Sequence, residues 1–323
     1  MALLVADIGG TRARFAIART HDDGIVLERT QVFAVADYRN LASALRAYAA
    51  RLEGPLPGDA AFALAADISA DTVEMVNSDW IVDRQKLVEE FGFESCLLLN
   101  DFEAIAHSVA IFGPEGFANL FGPRGSFARA GGLSIIGPGT GLGVAQLIRA
   151  ADGHCHVVRT EGGHIGFAPQ TAFERRLYEI LSDRHGRVSV ERVASGPALS
   201  HIYGLLAGRR SDPTFLSDSE LWSQAINGDG AASKALHIFL EILGSIVGDL
   251  ALAHGSDSVV FVGSLAGRLQ DRFPSVRFRE RFLAKGRFAA RMSNIGVAYL
   301  LCDQPGLLGA AWASRARTGK ACL

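Results

Sequence analysis

An excess of charge of either sign is absent from this chain. Its 32 Lys and Arg residues stand against 34 Asp and Glu, a formal net charge of −2. Such a balance leaves no electrostatic footprint for nucleic acid or for an anionic membrane. Among its 323 residues no apolar run approaches the roughly 20 needed to span a bilayer. The opening MALLVADIGG has no basic stretch ahead of its apolar residues, so no signal peptide is expected. Cysteine is scarce: Cys96, Cys155, Cys302 and Cys322 are scattered and form no Cys-x-x-Cys pair. That pattern disfavours a disulfide framework or a zinc site and fits free thiols in a reducing cytoplasm. Two familiar phosphate signatures are missing as well, the G-x-x-x-x-G-K-[ST] loop and the G-x-G-x-x-G turn.

What remains reads as a mixed α/β protein of two domains. LLVADI is an apolar run that stops at glycines and predicts a buried strand. RFAIAR and IVLERTQVF, parted by HDDG, predict two more in hairpin connection. Residues 38–52 place Leu41, Leu45, Tyr48 and Leu52 at helical spacing. A strand at AAFALAA, an extended piece near TVEMVN, a helix at DRQKLVEEFG and the strand SCLLL running into the helix NDFEAIAHSVAIF complete a unit of about 110 residues. Residues 113–132, rich in Gly, Pro and Phe, read as a domain connection. The opening pattern then returns: LLVADIGGTRARFAIA (3–18) and LSIIGPGTGLGVAQLI (133–148) superpose under one shift of 130 positions, Asp7 on Gly137 and Gly9 on Gly139. Two similar halves, each with a Gly/Thr hairpin, predict a ligand held in a cleft between them. The second half carries more helix, including a long one near ASKALHIFLEILGSIVGDLALAHG, and an apolar helix follows DQPGLLGAAWA.

Glycine hairpins let backbone N–H groups approach phosphate oxygens closely. Gly9, Gly10 and Thr11 form one such turn, and Gly139, Thr140 and Gly141 the other. Asp7 has two readings. A carboxylate beside bound phosphates repels them unless a divalent cation lies between, which makes Asp7 a Mg²⁺ ligand, acting through water. Alternatively it caps the N–H groups of its own turn. Asn100 and Asp101 also read two ways: both are good helix caps, yet they stand at the carboxyl end of a strand, where α/β sheets bind ligands. There Asp101 can accept a proton from a substrate hydroxyl while Asn100 orients the substrate. Glu161 and His164 flank two glycines in RTEGGHIGFAP, a setting suited to sugar hydroxyls, since a carboxylate accepts two hydrogen bonds and a neutral imidazole donates or accepts. Metal binding by this Glu-x-x-His pair lacks the partner set a helical bundle supplies. Glu191, in VSVERVASGP, reads as a surface helix residue or as a further sugar contact.

Taken in order, ADIGGT, LNDFEAIAH, GPGTGLGVA, TEGGHIGFAP, SVERVASGP, KGRF (285–288) and QPGLLGAA (304–311) resemble the bacterial glucokinases of the type outside the ROK group. The resemblance covers nearly the whole chain. It implies the two-domain actin-like ATPase (ribonuclease H-like) fold with mixed sheets, with a small domain over 1–110 closed by a C-terminal helix about 305–323 and a large domain over 111–304. It further implies transfer of the γ-phosphoryl of ATP to the 6-hydroxyl of glucose, with Asp101 as general base. Asn77, Asn100, Asp101, Glu161, His164 and Glu191 would grip the sugar. The two Gly/Thr turns would hold phosphates, Asp7 would meet Mg²⁺, and Gly263 and Ser264 would lie near adenosine. A cytoplasmic homodimer is also implied. Two alternatives stand beside this reading: a kinase for another hexose, and a non-catalytic sugar-binding regulator.

Three positions depart from the family pattern. Arg12 stands where the family usually has Asn, either reaching the β/γ-phosphates or pointing to solvent. Ala66-Asp67-Ile68 replaces a Gly-Pro-Val-like turn beside the sugar and adds a negative charge. Gly263-Ser264 replaces a paired glycine at the nucleotide end.

Overall fold

The computed structural model describes residues 2–21, 24–76, 78–124, 127, 129–208, 218–228, 230–273 and 275–317. The chain divides into two compact units. One comprises Met1–Phe112, Arg149–Arg159 and Cys302–Leu323, the other Gly113–Ile148 and Thr160–Leu301.

The first unit opens with β1 (Ala2–Ile8), β2 (Arg12–His21) and β3 (Gly24–Ala34), followed by α1 (Leu41–Ala49), β4 (Asp59–Leu64), β5 (Thr72–Glu74), β6 (Ile81–Asp83), α2 (Arg84–Phe91), β7 (Ser95–Asn100) and α3 (Asp101–Val109). Its five-stranded sheet has the order β3-β2-β1-β4-β7. The first three strands run antiparallel, and β1, β4 and β7 are parallel. The helix at 38–52 is shorter than its periodicity, because Asn40 takes the N-cap and forms a capping box with Ser43. Alternation along β2 splits the interior: Ala13, Phe15 and Ile17 pack in the aromatic layer with Tyr48 and Phe33, whereas Ala16 and Ala18 face small residues on the opposite side.

After α3 the chain continues through β8 (Phe117–Phe121), β9 (Gly131–Pro138), β10 (Leu142–Arg149), β11 (Cys155–Thr160), α4 (Ala172–His185), α5 (Glu191–Ala194), α6 (Ala198–Leu206), α7 (Asp218–Asn227), α8 (Gly230–Ala253), β12 (Ser258–Phe261), α9 (Ser264–Leu269), α10 (Val276–Leu283), α11 (Ala289–Met292) and β13 (Gly296–Leu300). The sheet order is β11-β10-β9-β12-β13-β8. Apart from β8, this repeats β3-β2-β1-β4-β7 strand for strand, so the short repeat at residues 3–18 and 133–148 marks a duplicated topology. β8 lies inside the stretch that reads as an irregular connection. FANLF has no alternation of its own, and its strand exists because it pairs antiparallel with β13. Helix α8 is long and apolar enough to cross a membrane by composition, against the absence of any such run in the sequence reading. It is 72% buried over its most apolar window and forms the centre of the second core.

The last helix, α12 (Pro305–Arg317), packs in the first unit against α3, β1 and β4. Its approach is at backbone distance: a Cβ on Gly309 would stand 1.6 Å from the Ala104 carbonyl oxygen, and one on Gly306 would stand 2.8 Å from Asp7 Cγ. A side chain at Gly309 would force α12 off α3, and one at Gly306 would force it off Asp7 of β1. Gly309→Ala is therefore expected to cost about 3 kcal/mol, the upper range for overpacking, measured by urea denaturation. A loss under about 1 kcal/mol would mean that α12 and α3 separate freely.

Candidate active site

Parallel pairing sets the level at which the strands of the first unit end. Ile8 lies beside Leu64, and Leu64 beside Asn100, so β1, β4 and β7 finish together. Three turns leave from that line: Gly9-Gly10-Thr11, Ala65-Ala66-Asp67 and Asn100-Asp101. Backbone bonds brace it, Ala65 N–H donating to Ile8 O at 3.0 Å and Val76 N–H to Ala65 O at 2.8 Å.

Asp7 and Arg14 are paired directly across β1 and β2, and Arg14 Nη1 donates to Asp7 Oδ2 at 3.0 Å. Burial raises the Asp7 pKa, and Arg14, by charge and hydrogen bond, pulls it part of the way back. The turn does not use Asp7 as its cap: Gly9 N–H donates to Arg12 O at 3.0 Å instead. Arg14 is the hydrogen-bond partner of Asp7 among the described residues, and it engages one carboxylate oxygen. Arg12 lies two residues before Arg14 and therefore projects from the same face of β2. It is exposed and has no ion-pair partner among the described residues. Thr11 is exposed too, and its carbonyl accepts from Val35 N–H at 3.0 Å.

Asn100 is the N-cap of α3, its Oδ1 accepting from Phe102 N–H at 2.9 Å and Glu103 N–H at 3.1 Å. The capping reading is thus realised, but it does not use the whole side chain. Nδ2 donates to Ala66 O at 3.0 Å, which leaves one amide hydrogen. Asp101 is the first residue of α3 and half-buried; its Oδ1 accepts from Phe102 N–H at 2.8 Å. The added charge at Asp67 is met by Arg159, Nη2 to Oδ1 at 3.2 Å. Both side chains are open to solvent, so the pair offsets charge more than it stabilises. Asn77 lies outside the described residues.

In the second unit Leu142 joins the remaining candidates. Its N–H donates to Glu191 Oε2 at 3.0 Å, so Glu191, half-buried at the start of α5, braces the Gly139-Thr140-Gly141 hairpin. Gly139 N–H donates to Gly141 O at 2.8 Å, and Gly196 N–H to Gly139 O at 2.7 Å. The Leu142 carbonyl abuts Gly163, where a Cβ would stand 2.1 Å away; at Gly162 a Cβ would meet Val144 at 2.7 Å. These glycines are demanded by packing against β10, a different reason from the open approach to a ligand that their sequence implies. Glu161 and His164, either side of them, are exposed, with no side-chain hydrogen bond among the described residues. Val190 N–H bonds Ile165 O at 2.9 Å and ties the Glu191 segment to the His164 turn. Gly263 follows β12 at φ 88°, and Ser264, exposed, begins α9. Sequence reasoning missed Arg14, Arg159 and Gly196 as supports; only the strand register and chain packing expose them.

The glucokinase family model matches residues 4–317. A curated glucokinase of Zymomonas mobilis is 40% identical over 314 residues, covering 96% of this chain and 97% of its own length. A crystal structure of glucokinase from an Antarctic psychrotroph superposes with a TM-score of 0.82 at 32% identity, covering 96% of this chain and 97% of that one. Glucokinase from Balamuthia mandrillaris, solved in complex with glucose, shares the fold at a TM-score of 0.80 and 21% identity, covering 97% and 93%.

Losing both the cap and the link to Ala66, Asn100→Ala is expected to destabilise the protein by about 2 kcal/mol in chemical denaturation. Asn100→Asp keeps a capping oxygen and should lose about half as much. Equal losses would show that the cap bonds do not matter.

Proposed function

The chain belongs to the glucokinase family and is an ATP-dependent hexose kinase; from that premise we propose which residues carry the reaction. Asp101 is the general base toward the 6-hydroxyl of D-glucose. The observation that carries this assignment is the level ending of β1, β4 and β7, which puts the phosphate-type turn and Asp101 on one edge of one sheet. The Asp101 carboxylate holds the hydroxyl and directs its oxygen at the γ-phosphorus. As the new oxygen–phosphorus bond forms and the bond to ADP breaks, the proton passes to Asp101, late, because this transition state is loose.

Asn100 offers its remaining amide hydrogen to the sugar, and Asn77, Glu161, His164 and Glu191 complete its hydroxyl contacts. Once a bound sugar covers them, polar groups of this kind discriminate against sugars that lack the matching hydroxyl, because they are then left unpaired. Gly9, Gly10 and Thr11, with Gly139, Thr140 and Gly141, hold phosphate oxygens, and Gly263 and Ser264 lie by adenosine. Asp7 fits a Mg²⁺ ion brought in on the nucleotide, through water: one of its oxygens is engaged by Arg14 and the other is left to face such a ligand. Mg²⁺ ordinarily takes one or two carboxylates and completes its shell with phosphates and water. When bound it neutralises charge building on the phosphate oxygens. We assign the small domain to 1–110 closed by 305–323, the large domain to 111–304, and extend the family resemblance to a cytoplasmic homodimer.

Asp101→Asn is expected to lower kcat by about 10³-fold, the usual range for a lost general base, with glucose affinity by calorimetry within a few-fold of the parent. Turnover near the parent rate would overturn the assignment. Arg12, on the Asp7 face of β2, supplies a further cation to the phosphates. Arg12→Asn should raise the KM for Mg-ATP by about three- to tenfold, the worth of one partly exposed charged contact, with the KM for glucose unchanged. An unchanged KM for Mg-ATP would leave Arg12 a solvent-facing residue.

A further inference from the structure

The first unit contains a cavity of about 520 Å³ that no catalytic role uses. Its walls are the loop Ile68–Asp71, Arg84 at the start of α2, Cys96–Leu98 of β7 and Arg317 at the end of α12. The volume lies in the ordinary range of small-molecule sites. β7 is the edge strand of its sheet, so one side of its backbone is not engaged by a neighbouring strand.

Its charges are uneven. Two guanidinium groups, from separate elements, face one carboxylate. Arg84 Nε donates to Asp71 Oδ1 at 2.8 Å, which leaves the terminal nitrogens of Arg84 as donors. Arg317 has no ion-pair partner among the described residues. The positive field is felt nearby: His107 on α3 is held down to about 4, by burial first and then by Arg317 and His156. Burial pushes the Cys96 thiol up to about 12, so it stays protonated and forms a neutral wall. Two guanidinium groups lining one cavity supply the donors that a dianionic phosphate oxygen set accepts from. Ser69 and the ionised Asp71 add a hydroxyl and an acceptor for the hydroxyls of an esterified sugar.

The position matters as much as the charge. The lining loop begins one residue after Asp67, and Ala66 accepts from Asn100. β7, which lines the cavity with three residues, runs directly into Asn100 and Asp101.

We propose that this cavity is a second, non-catalytic anion site that takes a small sugar phosphate monoester and, through the 66–71 loop and β7, changes the affinity of the sugar site. The coupling half of this proposal rests on the assignment of Asn100 and Asp101 to the sugar; the binding half does not.

Calorimetry with the full chain tests it, with glucose saturating so that the sugar site is filled and with glucose 6-phosphate as the probe. Binding of one equivalent is expected, weakened at least tenfold in the Arg84→Gln/Arg317→Gln double variant, whose turnover without probe stays within about twofold of the parent. Ser69→Glu, which adds a carboxylate at an exposed lining position and leaves the Asp71–Arg84 pair intact, should abolish the same binding. The KM for glucose should shift at least threefold with probe in the parent and not in either variant. No binding under saturating glucose, or binding undiminished in both variants, overturns the proposal. Inorganic phosphate binding as tightly as the ester would overturn the sugar phosphate as occupant. Full turnover by Asp101→Asn would instead sink the catalytic assignment and leave the calorimetric result standing.

Discussion

Parallel strand pairing in the first sheet is the constraint on which the rest of the first unit depends. In a parallel ladder, neighbours that pair in register run the same way and end on the same side. Ile8, Leu64 and Asn100 therefore finish as one row, and each following turn starts from a fixed height. A slip of β4 by one residue would exchange its two buried faces and turn Phe62 from the aromatic layer into the small-residue layer. The small-residue face of the sheet is the second part of the same constraint. Ala16, Ala18, Ala61 and Ala63 leave a shallow surface on which α12 and α3 can lie close, and glycines at the crossing complete that fit.

Much of this was legible from residues alone, where local chemistry and tertiary demand agree. Apolar runs that stop at glycine gave the central strands, and Asn100 announced the start of α3 by its capping chemistry, whereas the caps at Asn40 and Asp83 emerge only in the fold. The repeat of a strand, a Gly/Thr turn and a strand could be seen over 16 residues, yet it stands for a duplication of five strands, because topology survives after side chains diverge. β8 was not legible, since its strand character is lent by its partner β13.

At the candidate site the residue types were legible and their supports were not. Asp7 and its neutralising Arg14 are seven positions apart, and their meeting follows only from the hairpin register. Asp67 and Arg159 are far apart in the chain, so the charge that departs from the family pattern proves to have its own counter-charge. Asn100 shows that a capping role and a ligand role need not exclude each other, because an amide has more hydrogen-bonding groups than a cap consumes. Gly162 and Gly163 carry the opposite lesson: a glycine pair in a motif can answer to the protein's own packing.

The position of α12 also bears on how the chain is made. The first unit begins at the first strand, but one apolar face of its sheet has only α3 over part of it until residues near 317 arrive to complete the cover. The second unit is drawn almost entirely from the stretch between 113 and 301. On a ribosome adding about 5–20 residues per second, the later half of the sequence can complete its core first. The half that emerges earliest waits longest, and its exposed alanine-lined face is where a nascent chain of this protein is most open to wrong partners.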